Sequence, residues 1–108
     1  MARSFLTFAT ATILNAVSAG YSYGFDIVDV TGMPGGTVYP ALRRLEDLGY
    51  LTSKWEKEQV AQAELRPRRR YYDLTRSGRT ALAEAVKRYH LIEQTSLAKG
   101  RDPKLSRA

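Results

Sequence analysis

Gly36-Thr37-Val38-Tyr39-Pro40-Ala41-Leu42-Arg43-Arg44-Leu45-Glu46, taken with Arg68-Arg69-Arg70-Tyr71-Tyr72-Asp73-Leu74-Thr75, decides the fold. In the first stretch Val38, Ala41, Leu42 and Leu45, joined by Leu48, fall within one arc of a helical wheel. Thr37, Tyr39, Pro40, Arg43, Arg44 and Asp47 fall outside that arc. The pattern predicts a helix over residues 36–48 with one apolar face and one face of tyrosine and arginine. Pro40 is placed in its first turn, where a missing N–H costs little, and Gly49 suits its C-cap. The second stretch predicts an arginine-loaded strand over residues 69–74, with Tyr72 and Leu74 on one face. A partner strand is expected over residues 51–58, with Leu51, Ser53 and Trp55 on one face. Between the strands, residues 59–67 are polar and are expected to form a long, mobile hairpin tip.

Working outward, residues 4–17 carry Phe5, Leu6, Ala9, Ile13, Ala16 and Val17 at helical spacing, and Phe8 and Leu14 widen the sector. A sector this wide predicts a helix buried on two sides, one against the core and one against a partner subunit. A turn over residues 19–22 precedes a short helix over residues 23–31, which Gly32-Met33-Pro34-Gly35-Gly36 breaks. After the strands, Thr75 is a suitable N-cap for a helix over residues 76–97, striped by Leu82, Ala85, Val86, Tyr89 and Ile92. That length exceeds what a small core can cover, so part of the stripe needs another chain. Residues 99–108 read as a disordered basic tail. The fold class expected is mainly α with a small β-hairpin wing (α+β). Residues 1–75 form a winged helix-turn-helix domain that includes the N-terminal helix, and residues 76–98 form a C-terminal dimerisation helix.

Composition narrows the function. The chain has 108 residues, 44% hydrophobic and 26% charged, which suits one soluble domain. Its formal net charge of +6 favours a polyanionic partner, nucleic acid or an acidic membrane surface. There is no cysteine, which excludes disulfides, thiolate metal sites and thiol catalysis. No apolar run reaches the roughly 18 residues a spanning helix needs, and the first fifteen residues lack the basic start of a secretion signal. A cytoplasmic protein is expected. His90, the one histidine, has no nucleophile or metal-ligand partner nearby in sequence, and the glycine-rich turn lacks the Gly-Lys-Ser/Thr of a P-loop. Neither catalysis nor a cofactor is expected.

The charge is concentrated. Residues 66–79 hold six arginines (Arg66, Arg68, Arg69, Arg70, Arg76, Arg79) against the single acid Asp73, a local net of +5. Such density beside a helix with a polar face points to double-stranded DNA, where cations release counterions from phosphate. The alternative is a solvated face, or pairing with the acids between Glu56 and Glu64. On the third helix, Gly36 and Thr37 lie at the N-terminus, where free N–H groups meet phosphate. Arg43 has the planar fork that matches guanine O6 and N7, unless it pairs with Asp47, and Arg44 on the other flank suits phosphate. Tyr39 shares the face of Arg43 and serves either DNA or packing on the second helix. Tyr72 and Trp55 are expected to pack across the strands, whereas Tyr71 alternates to the opposite face, within reach of phosphate.

As a linked set, Tyr23-Gly24-Phe25-Asp26-Ile27, residues 36–46 with Gly49, Trp55-Glu56, and Arg66-Pro67-Arg68-Arg69-Arg70-Tyr71-Tyr72 with Leu74-Thr75 and Gly78 resemble PadR-type bacterial transcriptional regulators. The resemblance covers about residues 23–83. It implies a homodimeric winged-helix repressor, with DNA contacts from Tyr23, Gly36, Thr37, Tyr39, Pro40, Arg43, Arg44, Arg66, Arg68, Arg69, Arg70 and Tyr71. It places the dimer interface on Phe5, Phe8, Leu82, Val86, Tyr89 and Ile92, with the nucleoid as its place of work. The chain departs from the family in carrying Tyr23 where histidine is frequent and in a longer hairpin tip. It stops after one C-terminal helix, as in the short subfamily, so a small-molecule inducer would enter a cleft at the dimer interface near Phe5, Phe8 and Tyr89. The rival readings are a winged-helix adaptor for protein contact and a non-specific architectural DNA-binding protein.

Overall fold

The computed structural model describes residues 6–91. Five helices and a two-stranded antiparallel hairpin follow in the order α1 (Phe8–Ser18), α2 (Gly24–Thr31), α3 (Gly35–Asp47), β1 (Leu51–Trp55), α4 (Glu58–Ala63), β2 (Arg70–Leu74) and α5 (Arg76–Tyr89). This is the winged-helix arrangement, mainly helical with a hairpin wing.

Helix α1 is the centre of the domain and packs against α2, α3, α5 and β2. It buries Ala11, Ile13, Leu14, Ala16 and Val17 within its own chain, while Phe8 of the same sector is left 56% exposed. Its threonines, poor helix formers, are put to use. Thr7 caps the helix by accepting from the Thr10 N–H at 3.1 Å, and the Thr12 hydroxyl donates back to the Phe8 carbonyl at 2.8 Å. Helix α3 presents Val38, Ala41, Leu42 and Leu45 to the same core, where Ile27 of α2 and Leu51 of β1 join them. Burying several such side chains stabilises by about 1.5–3 kcal/mol each, which fixes the rotation of α3 about its axis.

Pro40 lies in the second turn of α3, not the first, because the helix begins at Gly35. Its missing N–H deprives the Gly36 carbonyl of a helical partner, and Gly36 is exposed, where water can serve instead. The helix closes as expected at Gly49, whose φ of 83° lets the Tyr50 N–H return to the Leu45 carbonyl at 2.9 Å.

The strands pair with Leu51 opposite Leu74, Ser53 opposite Tyr72 and Trp55 opposite Arg70. Both are shorter than expected. A third extended residue joins the sheet: Tyr23 bridges to Tyr71, and the Tyr72 N–H donates to the Ser22 carbonyl at 2.7 Å. The tip expected to be an irregular loop instead contains α4, with Ala61 buried. Its sequence is rich in helix formers, and Leu65, at φ 57°, ends it while the Arg66 N–H returns to the Ala61 carbonyl at 3.2 Å.

Helix α5 starts where expected, capped by Thr75 through the Gly78 N–H at 3.0 Å. It ends at Tyr89, short of the expected 97, because His90 adopts φ 53° and both the His90 and Leu91 N–H groups turn back to the Val86 carbonyl. The argument for a partner chain from helix length therefore does not hold over the described residues. Ile92 and the expected tail lie outside them, as does Phe5.

The start of α5 sits on the α3–β1 turn so closely that a Cβ at Gly78 would overlap the Tyr50 carbonyl oxygen, a backbone atom that cannot step aside. Gly78→Ala is therefore expected to destabilise by about 1–3 kcal/mol in urea unfolding. Gly36 has nothing near its Cβ position, and Gly36→Ala should be neutral or stabilise by up to about 1 kcal/mol. Equal effects at the two sites would refute this packing.

Candidate nucleic-acid interface

The core-facing arc of α3 leaves its other face open. Thr37, Tyr39, Pro40, Arg43 and Arg44 are all exposed. Arg43 makes no hydrogen bond or ion pair with Asp47, so among the described residues its guanidinium is not committed. Tyr39 combines the two roles weighed for it. Its ring lies over Gly24 of α2, where a Cβ would collide with ring atoms, yet 51% of the residue remains exposed. At the start of α3 the Thr37 N–H is taken by the Pro34 carbonyl at 2.9 Å, which leaves the Gly35 and Gly36 amides of the first turn without a helical acceptor, Gly36 being the more exposed of the two.

The wing stands beside this face, and its arginines differ in what holds them. Arg66 is clamped: its two terminal nitrogens meet the Glu56 carboxylate at 2.5 and 2.8 Å. Glu56 also accepts from the Arg69 N–H and the Tyr71 hydroxyl, each at 3.3 Å. The Arg66 hydrogen bonds foremost, with those of Arg69 and Tyr71, hold its carboxyl at about 2 against an ordinary 4.5, and Arg66 is raised in turn. Arg68 donates from Nε to the Glu56 carbonyl at 2.8 Å and lies 5.8 Å from the Trp55 ring centroid. Arg69 stacks 4.1 Å over the Tyr23 ring, which meets Tyr71 edge-on at 5.8 Å. Burial, with Asp26 adding to it, raises the Tyr23 phenol above its usual value, so it stays a protonated hydrogen-bond donor at neutral pH. Arg70 donates from Nε to Ser53 Oγ at 2.9 Å and reaches Glu46 of α3 at 3.3 Å. Its guanidinium lies 5.5 Å from the Trp55 ring centroid and 5.9 Å from that of Tyr72.

The expected DNA-facing residues thus gather on α3, the wing and the start of α2. Arg66 is engaged by Glu56, the pairing weighed as the alternative for the cluster, while Arg68, Arg69 and Arg70 keep partners that are neutral or half-exposed. Tyr72 belongs to the core, and Trp55 packs across the strands against Arg70 opposite it while staying 53% exposed. The sequence alone did not mark Glu46 or Ser53 as residues that place the arginines, and it gave Glu56 only as one of several acids that could pair with them. The acid preceding the arginine run was the signal, but the distances that pair them belong to the folded hairpin.

On the opposite side, Phe8 meets Tyr89 edge-on at 5.5 Å and the Tyr89 hydroxyl donates to the Leu6 carbonyl at 2.5 Å. Leu82 lies in the core of its own chain and Val86 is half-buried beside it. A concavity lies on this same α1–α5 side, lined by other residues than Phe8 and Tyr89. It is a cleft of about 300 Å³ between α1 and α5 lined by Asn15, Ser18, Arg79, Leu82, Ala83, Val86 and Lys87. No described helix is long and apolar enough to cross a membrane.

A family model described as the transcriptional regulator PadR-like family matches residues 13–84, which is 72 of the 108 residues and runs from α1 into α5. Among solved structures, a PadR family transcriptional regulator from Eggerthella lenta is 29% identical at a TM-score of 0.56, over 76% of this chain and 75% of that one. A PadR family transcription regulator from Clostridium difficile shares the fold at 24% identity and a TM-score of 0.62, over 75% and 86% of the two chains. The fold is also that of Bordetella bronchiseptica BpsR, whose DNA binding is regulated by 6-hydroxynicotinic acid, at 23% identity and a TM-score of 0.65 over 94% and 71%. Comparison with curated proteins finds no match.

The Glu56 clamp carries a pH dependence. Its carboxyl titrates lower in the folded chain than in the unfolded one, so its contribution to stability is complete above about pH 4.5 and is lost as the pH falls toward about 2. Glu56→Gln should unfold at lower urea than the parent protein at pH 7, and the two midpoints should converge between pH 4.5 and 2. Parallel curves across that range would remove the clamp as a stabilising element.

Proposed function

Because the chain belongs to the PadR-like family of transcriptional regulators, we propose that it is a sequence-specific DNA-binding repressor acting as a homodimer. The observation that supports this most is the uncommitted Arg43 on the open face of α3, next to a wing whose arginines are already ordered in the free protein. Helix α3 reads bases in the major groove, with Arg43 forked onto guanine and Tyr39 and Thr37 beside it. The Gly36 amide, Arg44, Arg68, Arg69 and Arg70 bind phosphate, and Tyr23 presents its hydroxyl from beneath Arg69. Arg66 and Tyr71 act behind this surface, holding Glu56 and through it the wing.

The dimer joins two copies through the α1–α5 side, where Phe8 is 56% exposed, and the chain outside the described residues supplies Phe5 and Ile92. Two-fold symmetry then requires an inverted-repeat operator with half-sites about one helical turn apart. A small acid acting as inducer enters the α1–α5 cleft, with Arg79 and Lys87 for its anion and Leu82 and Val86 for its apolar part. An adaptor for protein contact and an architectural DNA-binding protein are the readings this one displaces.

Selection of bound fragments from the source genome at near-physiological salt tests the reading. Enrichment of an inverted repeat near a promoter is expected. Uniform recovery would favour an architectural protein and no recovery an adaptor. On the enriched site, Arg43→Ala should cost about 1–3 kcal/mol and relax preference at one base pair of each half-site. Arg69→Ala should weaken all sequences alike and reduce the log–log salt slope by about 0.9 per lost phosphate contact.

A further inference from the structure

Glu46 stands at the last turn of α3, among arginines, on the face next to the wing. Its Oε2 accepts from Ser53 Oγ at 2.7 Å and its Oε1 meets Arg70 Nη2 at 3.3 Å. Ser53 Oγ in turn accepts from Arg70 Nε at 2.9 Å. The three side chains close a ring that ties α3 to β1 and β2. The ion pair is part of the surface, with 42% of the Arg70 side chain and 31% of the Glu46 side chain exposed. A phosphate oxygen approaching the wing would therefore find the Arg70 guanidinium already facing a carboxylate, with the Trp55 and Tyr72 ring centroids 5.5 and 5.9 Å from it.

We propose that Glu46 is a specificity-determining residue that competes with DNA phosphate for Arg70, so that Arg70 contributes to operator binding and is withheld from non-specific DNA. The proposal rests on the DNA-binding reading above. Its chemistry is an exchange of acceptors. Carboxylate and phosphate oxygens present the same kind of acceptor to a guanidinium fork, and only one can hold the Nη2 side of Arg70 at a time. On non-specific DNA, with α3 not seated on bases, the internal carboxylate keeps its partner. On the operator, contacts from α3 and the rest of the wing hold a phosphate close enough to displace Glu46. The acid thus lowers affinity for all sequences but lowers it most where binding is electrostatic alone, which widens the ratio between operator and other DNA.

The test uses the full chain and two duplexes of equal length, the selected operator and a scrambled version, titrated across a potassium chloride series. Glu46→Gln keeps an acceptor for Ser53 and removes the charge. It is expected to bind the scrambled duplex more tightly than the parent, with a log–log salt slope steeper by about 0.9 for each chain in contact, and to show a smaller operator-to-scrambled ratio. Adding Arg70→Met to Glu46→Gln should return the slope to the parent value. Should Glu46→Gln melt well below the parent, Arg70→Met alone decides. It is expected to weaken operator binding while leaving the slope on scrambled DNA unchanged, and a full loss of about 0.9 there overturns the proposal. Unchanged slope and ratio in a well-folded Glu46→Gln, with the parent still discriminating, also overturn it and leave the DNA-binding reading intact. A parent protein that does not discriminate between the duplexes sinks both.

Discussion

The Glu56 carboxylate sits where the two wing strands part, and donors reach it from three residues of the opposing chain segment: the Arg66 guanidinium, the Arg69 N–H and the Tyr71 hydroxyl. Its backbone takes part as well, since the Glu56 N–H donates to the Arg69 carbonyl at 2.8 Å and its own carbonyl receives Arg68. A two-stranded ribbon with an excursion of fourteen residues between Trp55 and Arg70 pays a loop-closure entropy and would fray without such a closure. With it, the excursion becomes a stem for α4, and Arg68, Arg69 and Arg70 emerge from the far side in a set order. A side chain 7% exposed thereby governs where the exposed charges of the wing stand.

The wing is also tied to the helices. Tyr23 ends the turn before α2, bridges to Tyr71 and lies beneath Arg69, so α2 carries an edge of the sheet. Glu46 joins the end of α3 to Ser53 and Arg70. Gly78 lets α5 rest on the Tyr50 carbonyl, and the Thr75 and Ser77 hydroxyls both donate to Gly49 at the end of α3. These ties meet around the α3–β1 turn. Rotation of α3 is set by its buried arc, and the wing is set against α3 by side chains near its surface. The two elements proposed to touch DNA are therefore one rigid unit with a common frame.

The arc of α3 was legible in the sequence because periodicity over thirteen residues is a local property, and so were Thr75 as a cap and Gly49 as a stop. Alternation gave the shared faces of the two strands, Leu51 with Ser53 and Trp55, and Tyr72 with Leu74, while the register that sets Leu51 opposite Leu74 belongs to the folded hairpin. Three features were not legible, for different reasons. Helix α4 is six residues long and lies in a polar stretch without an apolar stripe, so its formation depends on the Glu56–Arg66 closure around it. The end of α5 was hidden because the stripe continues through Tyr89 to Ile92, while the stop is made by a histidine in a left-handed conformation more often held by glycine. The breadth of α1's apolar sector did not say what covers each part of it: four elements of the same chain pack on the helix, while Phe8 stays exposed. Within the site, the arginine run was plain but its pairing was not, because Glu56 and Arg66 are ten residues apart and Glu46 and Arg70 twenty-four.

That pairing answers a physical question the sequence raises: how so many like charges fold together without DNA. Packed onto a short ribbon, Arg66, Arg68, Arg69 and Arg70 repel one another, and a uniform set of acids would relieve the repulsion only by cancelling the charge. The structure grades the relief. Arg66, deepest in the wing, is matched by a full carboxylate in a two-pronged pair. Arg70 shares a half-exposed carboxylate and a hydroxyl. Arg68 is held by a carbonyl and an indole face, and Arg69 by a phenol ring. Carbonyl dipoles and ring quadrupoles fix a guanidinium in place without neutralising it, and they leave its remaining N–H groups free to donate. Under the proposed DNA-binding reading, side-chain order that would otherwise be imposed during binding is already present. Helix α3 makes no such arrangement at Arg43: Arg43 and its neighbour Arg44 stand on an open, solvated helix face where water screens their repulsion, and the Arg43 fork stays unpaired among the described residues.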